Sequence, residues 1–214
     1  MIGRAIGNYE VQLEEVRESL ASTVDRAVCA PAAQAEGLPR RAFGRDEILA
    51  FLTEIDALLT GPLAMEIVGG AAALLAHGAE SPTKDINSFS EFDKRIEHAA
   101  TLTTQRIPLC PVLGHKAPRG YDDRRVRLYL PFRHLVVWVP DCYDLLFMKA
   151  GRASAHDLRV LAEMHRARPF DVDIIIDRYN DRTTPFGASV QDIIRQLFGH
   201  MPNAVRRIDV LTRF

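Results

Sequence analysis

The sequence predicts an α/β (α+β) fold: a small mixed sheet with flanking helices and a helical C-terminal half. Three observations predict it. The stretch from Glu66 to Asn87 reads as strand, glycine turn, helix, loop and strand. Amphipathic helical patterns lie on both sides of it. Beyond Asp141 the hydrophobic spacing is helical throughout.

The central stretch runs Glu66-Ile67-Val68-Gly69-Gly70, then Ala71 to Gly78, then Pro82-Thr83-Lys84-Asp85-Ile86-Asn87. Ile67 and Val68 suit a buried strand. Gly69 and Gly70 permit a sharp turn and a close approach of backbone to ligand. Ala71 to His77 is a strong helix former, and Gly78 is its natural C-terminal stop. A helix that starts after two glycines directs unpaired N–H groups at its mouth, where phosphate is favoured. The next strand brings Asp85 back toward that mouth. A phosphate cradle beside a carboxylate is the minimum needed to hold a metal–nucleotide complex. The plain alternative is a simple turn between strand and helix.

The flanking elements follow from periodicity and punctuation. Asn8 to Val28 has helical spacing, and residues 30–44, with Pro31, Gly37, Pro39 and Gly44, read as a linker. Arg45 to Thr60 is an amphipathic helix with Ile48, Phe51, Leu52 and Ile55 on one face. Glu91 to Ala100 is a helix capped by Ser90. A short strand is expected near Ile107–Leu109, and further strands over Val126–Leu130 and His134–Val139. Asp141 caps a helix from Cys142 to Ala150. Ser154 and Asp157 make a capping box for a helix through Arg166. Helices are also expected over Asp171–Arg178, Val190–Gly199 and Ala204–Leu211. The domain reading is an N-terminal extension and linker over 1–44, a core over 45–140 and a helical region over 141–214.

The bulk properties exclude some classes. Of 214 residues 47% are apolar, enough for one domain with a helical annex, and the net charge of −1 gives no global basic field for nucleic acid. The three cysteines are widely spaced and form neither a metal motif nor a disulfide framework. The seven histidines show no metal-ligand spacing. Neither a leader nor a run long enough to span a bilayer is evident, so a cytoplasmic chain with no membrane partner is expected.

The glycine pair, short helix and Thr83-Lys84-Asp85-Ile86-Asn87 strand resemble the signature of the nucleotidyltransferase (polymerase-beta-like) superfamily. The wording is most similar to small bacterial members related to AbiE-type abortive-infection toxins. Their second block resembles Asp141 to Arg152 followed by His156-Asp157-Leu158. The resemblance implies transfer of a nucleoside monophosphate from an NTP to RNA or a protein acceptor, with a cognate antitoxin or other partner protein. It implies Gly69, Gly70, Thr83 and Lys84 around the nucleotide, and Mg²⁺ on Asp85 and Asn87. It implies Lys149 on phosphate, pointing into the cleft of Asp85, and Asp157 orienting it or assisting catalysis. A surface lysine and a capping aspartate are the plain alternatives for the last two.

One departure matters. The second acidic position of the signature is Asn87, an amide that brings no charge to a hard cation. The competing expectation is therefore a catalytically degenerate protein of the same fold that binds a nucleotide or a protein partner. No later strand offers a third acid, and Asp122 and Asp123 read as a solvated loop. Arg124, Arg125, Arg127 and Arg133, with Tyr121 before them and Tyr129 and Phe132 interleaved, suit RNA by phosphate contact and stacking. They equally suit a strand edge guarded by charge.

Overall fold

A computed structural model describes residues 41–112, 118, 120–152 and 154–180. The helices expected over Asn8–Val28, Val190–Gly199 and Ala204–Leu211 lie outside the described residues. The fold class is the expected one, helices around small mixed sheets.

Helix α1 (Arg45–Leu58) buries Ile48, Phe51, Leu52 and Ile55 completely. Its start is fixed by Glu47, whose carboxylate accepts the Gly44 N–H at 2.9 Å, and its first turn carries Asp46 and Glu47, the charge favoured there. Strand β1 (Leu63–Glu66) leads through Ile67 and Val68 into helix α2 (Gly69–Ala76). Strand β2 (Ile86–Ser88), helix α3 (Lys94–Leu102) and strand β3 (Leu109–Pro111) follow. A single turn, α4 (Tyr121–Arg124), precedes the hairpin of β4 (Val126–Leu128) and β5 (Leu135–Val139). Helices α5 (Cys142–Arg152), α6 (Ala155–Ala167) and α7 (Val172–Asn180) complete the order.

The sheet is built in two pieces. β1 pairs with β5 in parallel, Leu63 opposite Leu135 and Glu66 opposite Trp138, and β4 joins the far side of β5 antiparallel. β2 and β3 pair in parallel, with Asn87 opposite Cys110. A single antiparallel bridge, with the Val68 N–H on the Asn87 carbonyl at 2.8 Å, joins the pieces immediately before α2. The two strands of the organising stretch are therefore neighbours at the point where the glycines stand.

One hydrophobic cluster runs through α1, β1, α2, β5, α5 and α6, so residues before and after Asp141 share a core. Asp56 is the polar anchor under it. Its carboxylate accepts the N–H groups of Arg133, His134 and Leu135 at 2.7–2.9 Å. Burial alone would raise its pKa; the three donors outweigh burial and hold it below the ordinary carboxylate value. The start of β5 is thereby tied to α1.

Several expected boundaries move by one to three residues, and three of the shifts have a visible cause. α3 begins at Lys94 because Asp93, not Ser90, supplies the cap, its Oδ1 accepting the Arg95 N–H at 2.8 Å. β3 lies two residues later than expected, since Ile107 goes into the core and the Pro108 carbonyl accepts the Ile86 N–H. α2 starts at Gly69 rather than Ala71, which places the glycines inside its first turn.

Candidate functional site

The site grows from two glycines at which a side chain would be strained or crowded. Gly69 has φ +69°, a left-handed conformation that side-chain-bearing residues rarely adopt, and a Cβ there would lie 3.3 Å from Asn87 Nδ2. At Gly70 a Cβ would lie 2.7 Å from Thr83 Oγ1 and 3.0 Å from Thr83 Cβ. The first turn of α2 is thus pressed against the residues of the Thr83–Asn87 segment. Asn87 Nδ2 donates to Asp85 Oδ1 at 3.1 Å, and Thr83 Oγ1 donates to the Asp85 carbonyl at 3.3 Å. Thr83 is itself buried and laddered to Phe43. The N-cap of α2 is Val68, whose side chain cannot accept a hydrogen bond, so no side chain caps the first-turn N–H groups. Gly69, Gly70, Thr83, Asp85 and Asn87 converge, and Lys84 stands exposed among them in sequence.

Lys149 and Asp157 are brought together with each other. Lys149 Nζ meets Asp157 Oδ1 at 3.0 Å, and the two side chains are 3% and 0% exposed. Arg152 adds Nε to Oδ2 at 2.6 Å and Nη2 to Oδ1 at 2.7 Å, and Ser154 Oγ donates to Oδ2 at 2.6 Å. Burial alone would raise the Asp157 pKa. The Arg152 and Ser154 hydrogen bonds and the Lys149 charge reverse that and hold it far below the ordinary value. Of the expected capping box the N-cap half is present, with the Asp157 N–H on Ser154 Oγ at 3.2 Å, while the Asp157 carboxylate takes the Ser154 hydroxyl in place of its backbone N–H. The Lys149 ammonium faces this carboxylate; it is not a surface lysine.

Residues 47–201 match a family described as a nucleotidyltransferase of unknown function (DUF6036). The chain belongs to this family. No curated protein and no solved structure matches it.

Within this nucleotidyltransferase-family fold, several polar residues around the strands were not anticipated. Glu66, at the end of β1, accepts the Phe89 N–H at 3.1 Å and Ser88 Oγ at 3.3 Å, with Arg125 3.9 Å away. It puts a second carboxylate beside β2. The signal was its parity: Met65 and Ile67 face the core, so Glu66 faces the other side of the sheet. Tyr121, expected only beside the arginine cluster, is 3% exposed, and burial together with the neighbouring Glu66 carboxylate pushes its pKa up. Glu163 on α6 accepts the Glu80 N–H at 2.9 Å, the Ser81 N–H at 2.8 Å and Ser81 Oγ at 2.6 Å, fixing the loop that leads to Thr83. Nothing in the sequence near Glu163 signals this.

The arginine cluster divides. Arg124 forks onto Asp144 at 2.8 and 2.9 Å, and Arg178 pairs with both Asp141 and Asp144. Arg125 stacks over the Trp138 ring at 5.5 Å. Arg127 and Arg133 are exposed on the hairpin. Asp122 and Asp123 are both exposed in α4.

For a divalent cation the donor set is small. Asp85 offers one carboxylate and Asn87 one neutral amide, and among the described residues no three His, Cys, Asp or Glu side chains group as a metal cage. That set fits a cation held chiefly by triphosphate oxygens with one protein carboxylate, which is how Mg²⁺ usually sits in nucleotide sites. It does not fit a metal bound by protein alone. Among the described residues no helix is long and apolar enough to cross a membrane.

Proposed function

We propose that this chain binds a nucleoside triphosphate at the Gly69–Gly70 turn and transfers its nucleoside monophosphate to RNA or a protein acceptor. The observation that carries this reading is the convergence of two glycines, Gly69 in the left-handed region and Gly70 pressed against Thr83, with Thr83, Asp85 and Asn87. The first-turn N–H groups of α2, free of a side-chain cap, suit phosphate oxygens. The acceptor hydroxyl attacks the α-phosphorus in line; the new P–O bond forms as the bond to pyrophosphate breaks, and Asp85 draws the hydroxyl proton. Mg²⁺ carried in with the triphosphate would rest on Asp85, with the Asn87 amide oxygen as a neutral ligand, and supplies charge neutralisation for the phosphates. By resemblance the setting is the toxin half of a two-gene defence or toxin–antitoxin system in the cytoplasm, with an antitoxin as partner.

A second reading keeps the site for binding without transfer. Asn87 favours it, because its amide stands where the signature has a charged ligand and gives its N–H to Asp85. Labelled-NTP incorporation into RNA and protein separates the two, using wild type, Asn87→Asp and Asp85→Ala. Transfer by wild type that vanishes in Asp85→Ala and rises in Asn87→Asp supports the enzyme. NTP binding with no incorporation by any of the three supports the binder. Wild-type transfer untouched by Asp85→Ala would sink the site altogether.

A further inference from the structure

We propose that the tip of the β4–β5 hairpin, Tyr129 with Arg127 and Arg133, binds single-stranded nucleic acid. Tyr129 is 90% exposed, the most exposed of the large apolar side chains described. The Arg127 guanidinium lies over its ring, 5.6 Å from the centroid. Arg127 and Tyr129 are two residues apart and share one face of the strand and its continuation. Arg133 is exposed at the other end of the connection. Among the described residues neither the Arg127 nor the Arg133 guanidinium has a carboxylate partner, in contrast to those of Arg124, Arg125 and Arg178. No acidic residue occurs from Arg124 to Pro140. A cavity of about 360 Å³ opens beside the tip, lined by Pro62, Leu130, Phe132 and His134 among others.

An open aromatic face flanked by unpaired cations matches what a single strand needs. Bases stack on the ring and phosphates meet the guanidiniums, with no demand on sequence. β4 is an edge strand, and guarding that edge accounts for the arginines. It does not account for a tyrosine held out in water, which guards nothing. An acidic protein segment would satisfy the arginines but would leave the ring without a stacking partner. The net charge of −1 is no obstacle, because the potential that matters acts within about 10 Å at ordinary salt. The inference does not depend on transfer chemistry, so its failure and that of the transferase reading are separate results.

The test is fluorescence anisotropy of the full chain with labelled oligouridylate and oligothymidylate of about 12 nucleotides, across roughly 50–200 mM salt. Wild type is expected to bind both. Tyr129→Ala should weaken binding about 5- to 150-fold, and Tyr129→Phe, which keeps the ring, should bind as wild type does. The Arg127→Ala, Arg133→Ala double variant should lower the slope of log K against log salt by about 1.4. All three side chains are exposed, so circular dichroism should show the variants folded. Three outcomes would overturn the proposal: no binding by wild type at low salt, variants that bind like wild type, or displacement by polyglutamate with Tyr129→Ala unaffected.

Discussion

Removing either member of the Lys149–Asp157 pair should give unequal damage. Asp157 is met by three side chains making four hydrogen bonds, from Lys149, Arg152 twice and Ser154. Among the described residues Lys149 has Asp157 as its one carboxylate, and it is 3% exposed. Asp157→Asn keeps the volume but leaves an ammonium buried without a counter-charge, a loss of about 3–5 kcal/mol. Lys149→Met removes the cation and leaves Asp157 with Arg152, whose side chain is 60% exposed, and Ser154. One charge-assisted hydrogen bond is lost, and the buried methionine offsets part of it, for a net of about 1–2 kcal/mol. Urea unfolding of both variants measures the difference. The double variant no longer has a stranded charge and should be more stable than Asp157→Asn alone. Equal losses in the two single variants would refute the asymmetry. So would a double variant less stable than either. A Lys149→Met protein of wild-type stability that has lost NTP binding would assign the lysine to the nucleotide.

Two further outcomes follow from the contacts around the glycine turn. Gly70→Ala, with its Cβ 2.7 Å from Thr83 Oγ1, should cost about 1–3 kcal/mol and weaken NTP binding by calorimetry, with Thr83→Ala in the same chain restoring part of the stability. Glu163→Ala strips three hydrogen bonds from residues 80 and 81 and should cost about 2–3 kcal/mol, with Glu163→Gln milder. Burial would raise the Glu163 pKa, but its donors hold it below the ordinary value, so its contribution is present above the ordinary glutamate pKa and is lost as pH falls through the folded pKa; acid unfolding of Glu163→Gln should lack that component.

What the sequence reveals is what short range determines. Two glycines between apolar residues and an alanine-rich run dictate a strand, a turn and a helix, because propensity and steric freedom act within a few residues. The burial of Lys149 is also readable in retrospect: it lies four residues after Leu145, which is 0% exposed, on the same helical face. Its partner comes only from the family resemblance, which sets Asp157 to orient it; periodicity places the two on separate helices and does not pair them. The Ser90 cap fails because Asp93 competes for the same helix start and wins with Arg95, as its N–H donor and as its ion-pair partner. Glu163 and Ser81 are 82 residues apart, and only the seating of α6 joins them.

That seating changes what Lys149 means for the site. Glu163 and Ala167 are one helical turn apart on α6 and face the same loop: Glu163 holds residues 80 and 81, and a Cβ on Gly78 would come 2.5 Å from Ala167 Cβ. Two residues beyond Ser81 comes Thr83, which packs on Gly70. At the other end of the same helix, about 9 Å from Glu163 along the axis, Asp157 fixes α6 to α5 through Lys149. A change at Lys149 can therefore reach the nucleotide mouth by tilting α6, with no contact between the lysine and phosphate. Lost activity in a Lys149 variant does not by itself make the lysine catalytic. Glu163→Ala supplies the comparison, because it loosens the same loop and leaves the Lys149–Asp157 pair intact. If both variants raise KM for NTP by similar factors at unchanged kcat, the lysine acts through the helix. If only Lys149→Met loses kcat, it acts on the nucleotide itself.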